Sequence, residues 1–402
     1  MTDRVIVGLR RPPGLGTDAD PGHEPELLAQ ILAEIRASGP LTFARFMDLA
    51  LYDPELGYYA TGRRGPGRGG DFLTAPESHP IFGWAVARQL HEAWERLGRP
   101  AAFTIRELGA GTGALAAGIV EGLARAGSPL REVLRYRIAE RSAARLEQVV
   151  ERLGAAGAAE VLEPDDGAPI VGVVLANEVL DALPVHRVEA APGGELRELF
   201  VGLDAAGALT TVIEPPSTPR LAERLDAEGV TLAPGQRAEI CLEIEAWVAT
   251  AAAGLRDGLL VLVDYGHPAA ALYDPARGSL LRAYVGHRVH DDPFVNVGRQ
   301  DLTAHVDLSA VERAAVAAGL DHLGTTTQAA FLAGLGAGEL LATFQQRPST
   351  TIEGYLEARS ALIRMLDPTA SGRFAVLAFG RGLAPGPPLA GLAYRLPGGS
   401  AR

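Results

Sequence analysis

Phe103-Thr104-Ile105-Arg106-Glu107-Leu108-Gly109-Ala110-Gly111-Thr112-Gly113 is the stretch that decides the fold. Its first six residues suit a short buried strand, and the glycines lead straight into an apolar-periodic helix expected over 113–126. A tight strand-to-helix turn needs positive φ, and a ligand held close to the backbone leaves no room for a Cβ. The helix start beyond such a turn presents N–H groups without intrahelical partners.

Outward from this turn the chain alternates strands and helices. Strands are expected at 103–108, 136–140, 159–162, 171–176 and 258–264, with a helix over 142–153 carrying Leu146, Val149, Val150 and Leu153. Phe374–Phe379 reads as a last strand, pairing antiparallel with one near 321–328. The pattern predicts an α/β fold with a doubly wound, mostly parallel seven-stranded sheet.

Upstream, residues 1–23 read as a disordered lead-in and 24–100 as an N-terminal helical region, with helices from Pro25 to Ser38 and from Thr42 to about Leu51. The glycine-rich run 61–71 reads as a loop, and one helix is expected to open at Pro76 and run through Leu97. Residues 101–383 would form the sheet domain, and 384–402 a flexible tail. Two long interruptions, 177–257 and 265–320, are expected to be substrate-recognition insertions after strands 4 and 5. Ser309 with Glu312, and Thr350 with Glu353, have capping-box spacing.

The glycine spacing discriminates between cofactors. Dinucleotide loops use G-x-G-x-x-G with a pyrophosphate on the helix end; here it is G-x-G-x-G, with Glu107 two residues before Gly109. That suits S-adenosylmethionine, which has no pyrophosphate but carries an ammonium and a carboxylate. The expected cofactor set is Glu107, Gly109, Ala110, Gly111 and Gly113, with Glu140 after the second strand on the ribose hydroxyls. Unless it merely pairs with Arg141 or Arg145, Glu140 completes the set in chain order. Of Glu163, Asp165 and Asp166, one could accept from the adenine amine, while a solvated acidic turn accounts for the others.

Ligands of such sheets bind beyond the carboxyl ends of the central strands. Asn177, Glu178 and Asp181, directly after the fourth strand, are therefore the candidate catalytic residues. Two carboxylates suit a planar guanidinium, whose nitrogen they could orient for in-line methyl transfer. The plainer alternative is that Asn177 and Asp181 cap the turn.

Composition sets the outer bounds. The 402 residues are 47% hydrophobic, enough for a large core, and the net charge of −12 argues against general nucleic-acid binding. One cysteine, Cys241, rules out an internal disulfide and points to a reducing compartment, so a cytoplasmic protein is expected. Arg10-Arg11 precedes Pro-Pro-Gly and not an apolar run, and no stretch reaches the roughly 18–20 apolar residues of a membrane span. All positive charge is arginine, which excludes Schiff-base and Walker-type lysine chemistry. His287 and His290 could share a helix face with His305 elsewhere, but with no cysteine nearby no metal is expected.

Together these motifs resemble the MidA-like methyltransferases, whose eukaryotic members are mitochondrial complex I assembly factors. The resemblance runs over roughly residues 25–380. It rests on Tyr52 to Tyr59, Gly70 to Glu77, Glu107 to Gly113, Asn177 to Pro184, Asp264-Tyr265-Gly266 and Gln300 to Asp307. It implies a class I methyltransferase core with an N-terminal helical extension, and protein arginine methylation as the activity. It also implies that Asp71 and Thr74 contact the cofactor as part of a lid. Ala110 stands where many relatives place proline, and the mitochondrial targeting presequence is missing, so a bacterial protein is expected. Arg282, Tyr284 and His287 could line a substrate cleft or form a structural network. Two other functions stay open: a small-molecule O- or N-methyltransferase with His186 or His287 as base, and an assembly protein that keeps the cofactor pocket without turnover.

Overall fold

Seven strands of the computed structural model form one sheet. They are β1 (Phe103–Leu108), β2 (Leu134–Ala139), β3 (Leu162–Glu163), β4 (Ile170–Asn177), β5 (Leu255–Asp264), β6 (Asp321–Thr327) and β7 (Ala375–Arg381). Residues 21–60, 70–140 and 142–394 are described. The expected lead-in over 1–20, most of the loop at 61–71, Arg141 and the end of the tail lie outside them. The strand order is β6-β7-β5-β4-β1-β2-β3. β5, β4, β1, β2 and β3 run parallel, and β7 is antiparallel to both its neighbours. The central strand β4 buries Val173, Val174, Leu175 and Ala176, as a strand covered on both faces must.

By compactness the chain divides into two units. The sheet unit comprises Thr74–Val179, Ala246–Tyr265 and the chain from Val311; the companion unit comprises the chain up to Leu73, Leu180–Glu245 and Gly266–Ala310. The first boundary therefore falls at Leu73 and not at residue 100. The reason is the packing of α1 (Ile81–Arg96) on α2 (Ala114–Arg125): a Cβ on Gly83 would lie 2.6 Å from the Gly118 carbonyl carbon. Only a glycine pair lets the backbones approach so closely.

Several local expectations need correction. The helix expected from Pro76 is two helices, Ala75–Ser78 and α1, broken where Pro80, which has no N–H to donate, caps the second. The third strand is only Leu162–Glu163, because Ala159–Val161 form a 3-10 turn. Asp307, not Ser309, caps the helix Leu308–Ala317: its Oδ1 accepts from the Ala310 N–H at 3.1 Å, while Ser309 Oγ accepts from the Ala269 N–H. Thr351, not Thr350, caps the helix Ile352–Leu366. Part of the expected loose tail is fixed in the sheet unit, where the Gly391 and Ala390 N–H groups donate to Gln89 and Glu92.

The companion unit contains the expected N-terminal helices Pro25–Ser38 and Phe43–Tyr52, together with sheets from the two interruptions. Leu41–Thr42, Leu196–Leu203, His186–Ala190 and Arg237–Ile240 pair in that order, and Leu209–Glu214 pairs with the second. Arg288–His290, Arg282–Val285 and Asp301–Thr303 form a smaller sheet. Among the described residues no helix is long and apolar enough to cross a membrane.

Candidate functional site

The chain order of the sheet reverses at β1, which lies between β2 and β4. The carboxyl ends of β1 and β4 therefore flank the point where open α/β sheets bind ligands. Gly109, Gly111 and Gly113 sit there with φ of 66°, 56° and 78°, all in the left-handed region. A Cβ on Gly109 would meet Val179 Cγ2 at 3.0 Å, and one on Gly113 would meet Val149 Cγ1 at 3.0 Å. Ala110 is buried between them. The loop is thus a cradle of bare backbone that leads into α2.

Glu107, the penultimate residue of β1, is 3% exposed, and its Oε2 accepts the Tyr136 hydroxyl of β2 at 2.6 Å. Burial pushes its carboxyl up to about 7; the Tyr136 bond opposes this and the charge of Glu140 adds to it. A buried acid so placed gains most from a cationic partner. Glu140 stands just past β2, where its Oε1 accepts the Ser142 N–H at 3.0 Å.

Behind the loop, Thr112 bonds to Glu77, and Arg152 Nη1 donates to Thr112 Oγ1 at 2.9 Å and Glu77 Oε1 at 3.2 Å. Arg152 belongs to α3 (Ala143–Ala155), so this triad ties the glycine turn to two helices. No spacing pattern in the sequence announces it, since the partners are 35 and 40 residues from Thr112. Thr74 is buried at the start of the sheet unit and takes the Ser78 N–H on its carbonyl.

At the end of β4, Asn177 Nδ2 donates to Glu178 Oε1 at 3.1 Å, and Asn177 Oδ1 is buried without a partner among the described residues. Glu178 has φ of 54°, rare for a residue with a side chain. The conformation is held from β5: the Glu178 N–H donates to Val263 O at 2.8 Å. Asp264, 1% exposed, accepts the N–H groups of Val179 and Tyr265 at 3.1 and 2.8 Å. Asp264 was visible only as part of a motif. Its position at the carboxyl end of the last parallel strand is the signal that could have singled it out.

Asp71 and Asp181 fall in the companion unit, where they join Asp301. Tyr59 donates its hydroxyl to Asp301 Oδ1 at 2.7 Å, and Tyr58 to Asp71 Oδ2 at 2.9 Å. Asp71 Oδ1 also accepts the Gly286 N–H at 2.7 Å, fixing the turn between Arg282–Val285 and Arg288–His290. Asp181 is buried, and its carbonyl accepts the Ala304 N–H. Burial, reinforced by the charges of Asp181 and Asp71, holds the Asp301 carboxyl well above the usual range, although the Tyr59 bond opposes it.

Other expectations are placed differently. Asp165 pairs with Arg106 at 2.8 Å, Asp166 with Arg137, and Glu163 with Arg135 at 2.9 Å, so these acids are engaged by strand arginines. His186 Nδ1 lies 2.7 Å from Glu198 Oε1. His287 and His290 lie on a β-hairpin and not on a helix, and among the described residues no three potential ligands gather around one point. Arg282 Nη1 donates to the carbonyls of Ser279 and Leu281, which is a structural use.

A doubly wound sheet with a β1 cradle of this shape and a buried acid beside it defines an S-adenosylmethionine-dependent methyltransferase. A family model described as an S-adenosyl-L-methionine-dependent methyltransferase matches residues 85–326, and the chain belongs to that family. Among its relatives is the mouse protein "Protein arginine methyltransferase NDUFAF7, mitochondrial", 31% identical over 342 residues that span 77% of this chain and 74% of the relative. The Drosophila melanogaster homolog is 31% identical over 347 residues, 80% and 77% of the two chains. The crystal structure of a Burkholderia thailandensis protein bound to S-adenosyl-homocysteine superposes with a TM-score of 0.83 at 37% identity, covering 92% of this chain and 95% of that one.

Proposed function

We propose that this methyltransferase acts on the guanidinium of protein arginine. Glu107, Gly109, Ala110, Gly111, Gly113 and Glu140 hold the cofactor, with Thr74 beside them. Bare backbone at three left-handed glycines and a buried acid with no ion-pair partner among the described residues suit its amino-acid moiety. Asp71, with both carboxylate oxygens engaged by Tyr58 and Gly286, serves the companion unit's own turn.

Bound S-adenosylmethionine supplies an electrophilic methyl group on a sulfonium. The chain's part is to present and align the acceptor nitrogen. The observation that carries this reading is the Asn177–Glu178 pair. It offers a buried carbonyl oxygen, without a partner among the described residues, beside a carboxylate in a strained backbone conformation held by Asp264. Strain of that kind costs about 1–3 kcal/mol and persists only where the surrounding structure over-determines it, as Val263 and Asp264 do here. Glu178 orients the planar cation through charge-assisted hydrogen bonds and accepts the proton released as the nitrogen is alkylated. The relatives named as protein arginine methyltransferases support the same substrate class.

A peptide panel tests the reading. Arginine peptides should be methylated and their lysine-substituted counterparts should not. Equal methylation of both would contradict a site built for a planar fork. A cytoplasmic location is part of the proposal, and fractionation of the source cells checks it.

A further inference from the structure

We propose a second binding site, for a small amphipathic anion, in the cavity at the far end of α2. The cavity has a volume of about 420 Å³, within the range of ligand pockets. It is walled by α1, by the last turn of α2 with Ser128 and Pro129, and by α4 (Ala337–Gln345) with Arg347 just beyond it. About 13 Å of helix separates it from the glycine cradle, counted from Gly113 to Gly122. It is therefore no part of the cofactor site.

Its lining carries three guanidinium groups, Arg88, Arg125 and Arg347, and no carboxylate. Acids just outside the lining balance two of the three, and Arg347 is the one without an ion pair among the described residues. Glu121 takes Nε and Nη2 of Arg125 at 2.7 and 2.6 Å, and Glu339 takes Nη1 of Arg88 at 3.1 Å. Arg125 Nη1, Arg88 Nη2 and the whole Arg347 head have no partner among the described residues. The Arg125 guanidinium lies 4.1 Å from the centre of the Trp84 ring, a stack that fixes the orientation of its unused donors. Leu123, Leu340 and Phe344 supply an apolar floor. An apolar body carrying a phosphate, sulfonate or carboxylate head fits this division. The head would meet preorganised guanidinium donors in a partly desolvated setting, where charge-assisted bonds are strongest.

Anilinonaphthalene sulfonate is a suitable probe, followed by energy transfer from tryptophan in the intact protein. The expected result is saturable binding of one probe per chain that S-adenosylmethionine does not displace. Arg347→Glu should weaken it at least tenfold and Arg347→Lys should restore most of it, while cofactor affinity stays unchanged in both. Thr343→Glu, on the same wall, should weaken it likewise and guards against a defect peculiar to one variant. Absence of saturable binding, displacement by S-adenosylmethionine, or undiminished binding by the two Glu variants would each overturn the proposal.

Discussion

The Tyr136 hydroxyl donates to the Glu107 carboxylate at 2.6 Å, from one parallel strand to the next, beneath the glycine cradle. This single bond opposes a burial that otherwise drives Glu107 toward its neutral form, leaving it titrating at about 7.

Cofactor affinity should accordingly rise with pH through neutrality. Below about 7 Glu107 is protonated and offers the cofactor ammonium no charge; above it the carboxylate does. Calorimetry between pH 5.5 and 8.5 should show this rise, flattened by Glu107→Gln. Tyr136→Phe removes the opposing bond and should move the midpoint upward.

Stability should run the other way. The folded carboxyl binds its proton more tightly than the unfolded one, so the folded state loses ground as pH climbs from about 4.5 to above 7. A shift of that size corresponds to about 3 kcal/mol. Glu107→Gln should therefore melt higher than the parent at pH 8 and bind cofactor worse. A lower melting temperature at pH 8 would contradict the assignment.

In the cradle, Gly109→Ala forces a Cβ into a left-handed position 3.0 Å from Val179 Cγ2. About 1–2 kcal/mol of stability should be lost. Because Val179 follows Glu178, cofactor affinity and turnover should fall together, as binding and kinetic assays would show.

Asp264→Ala withdraws the acceptor for two backbone N–H groups and frees the Glu178–Val179 turn. Turnover should drop about 100-fold through lost positioning, with a much smaller change in cofactor affinity. Glu178→Gln should do the same without lowering the melting temperature. If Glu178→Gln instead weakens cofactor binding strongly, Glu178 belongs to the cofactor and not the acceptor.

What could be read from the chain was local or periodic. Gly109, Gly111 and Gly113 declare a turn by themselves, and the apolar runs at Phe103–Leu108 and Ile170–Asn177 declare buried parallel strands. Glu107, Glu140 and Asn177 followed from their places at strand ends. What could not be read depended on distant partners. Tyr59 reaches Asp301 across 242 residues, and Asp264 clamps Val179 across 85, so no spacing rule connects them. The capping errors at Ser309 and Thr350 are slips of two and one residues, where neighbouring Asp307 and Thr351 competed for the same role. The two interruptions gave no hint that they would fold with the N-terminal helices, since their strands pair across the chain.

The most direct test is transfer of a labelled methyl group from S-adenosylmethionine into a lysate of the source organism, followed by amino-acid analysis of the labelled products. The account predicts label in methylarginine of protein, lost with Glu178→Gln. Label confined to a small metabolite, or label that survives that substitution, would contradict it.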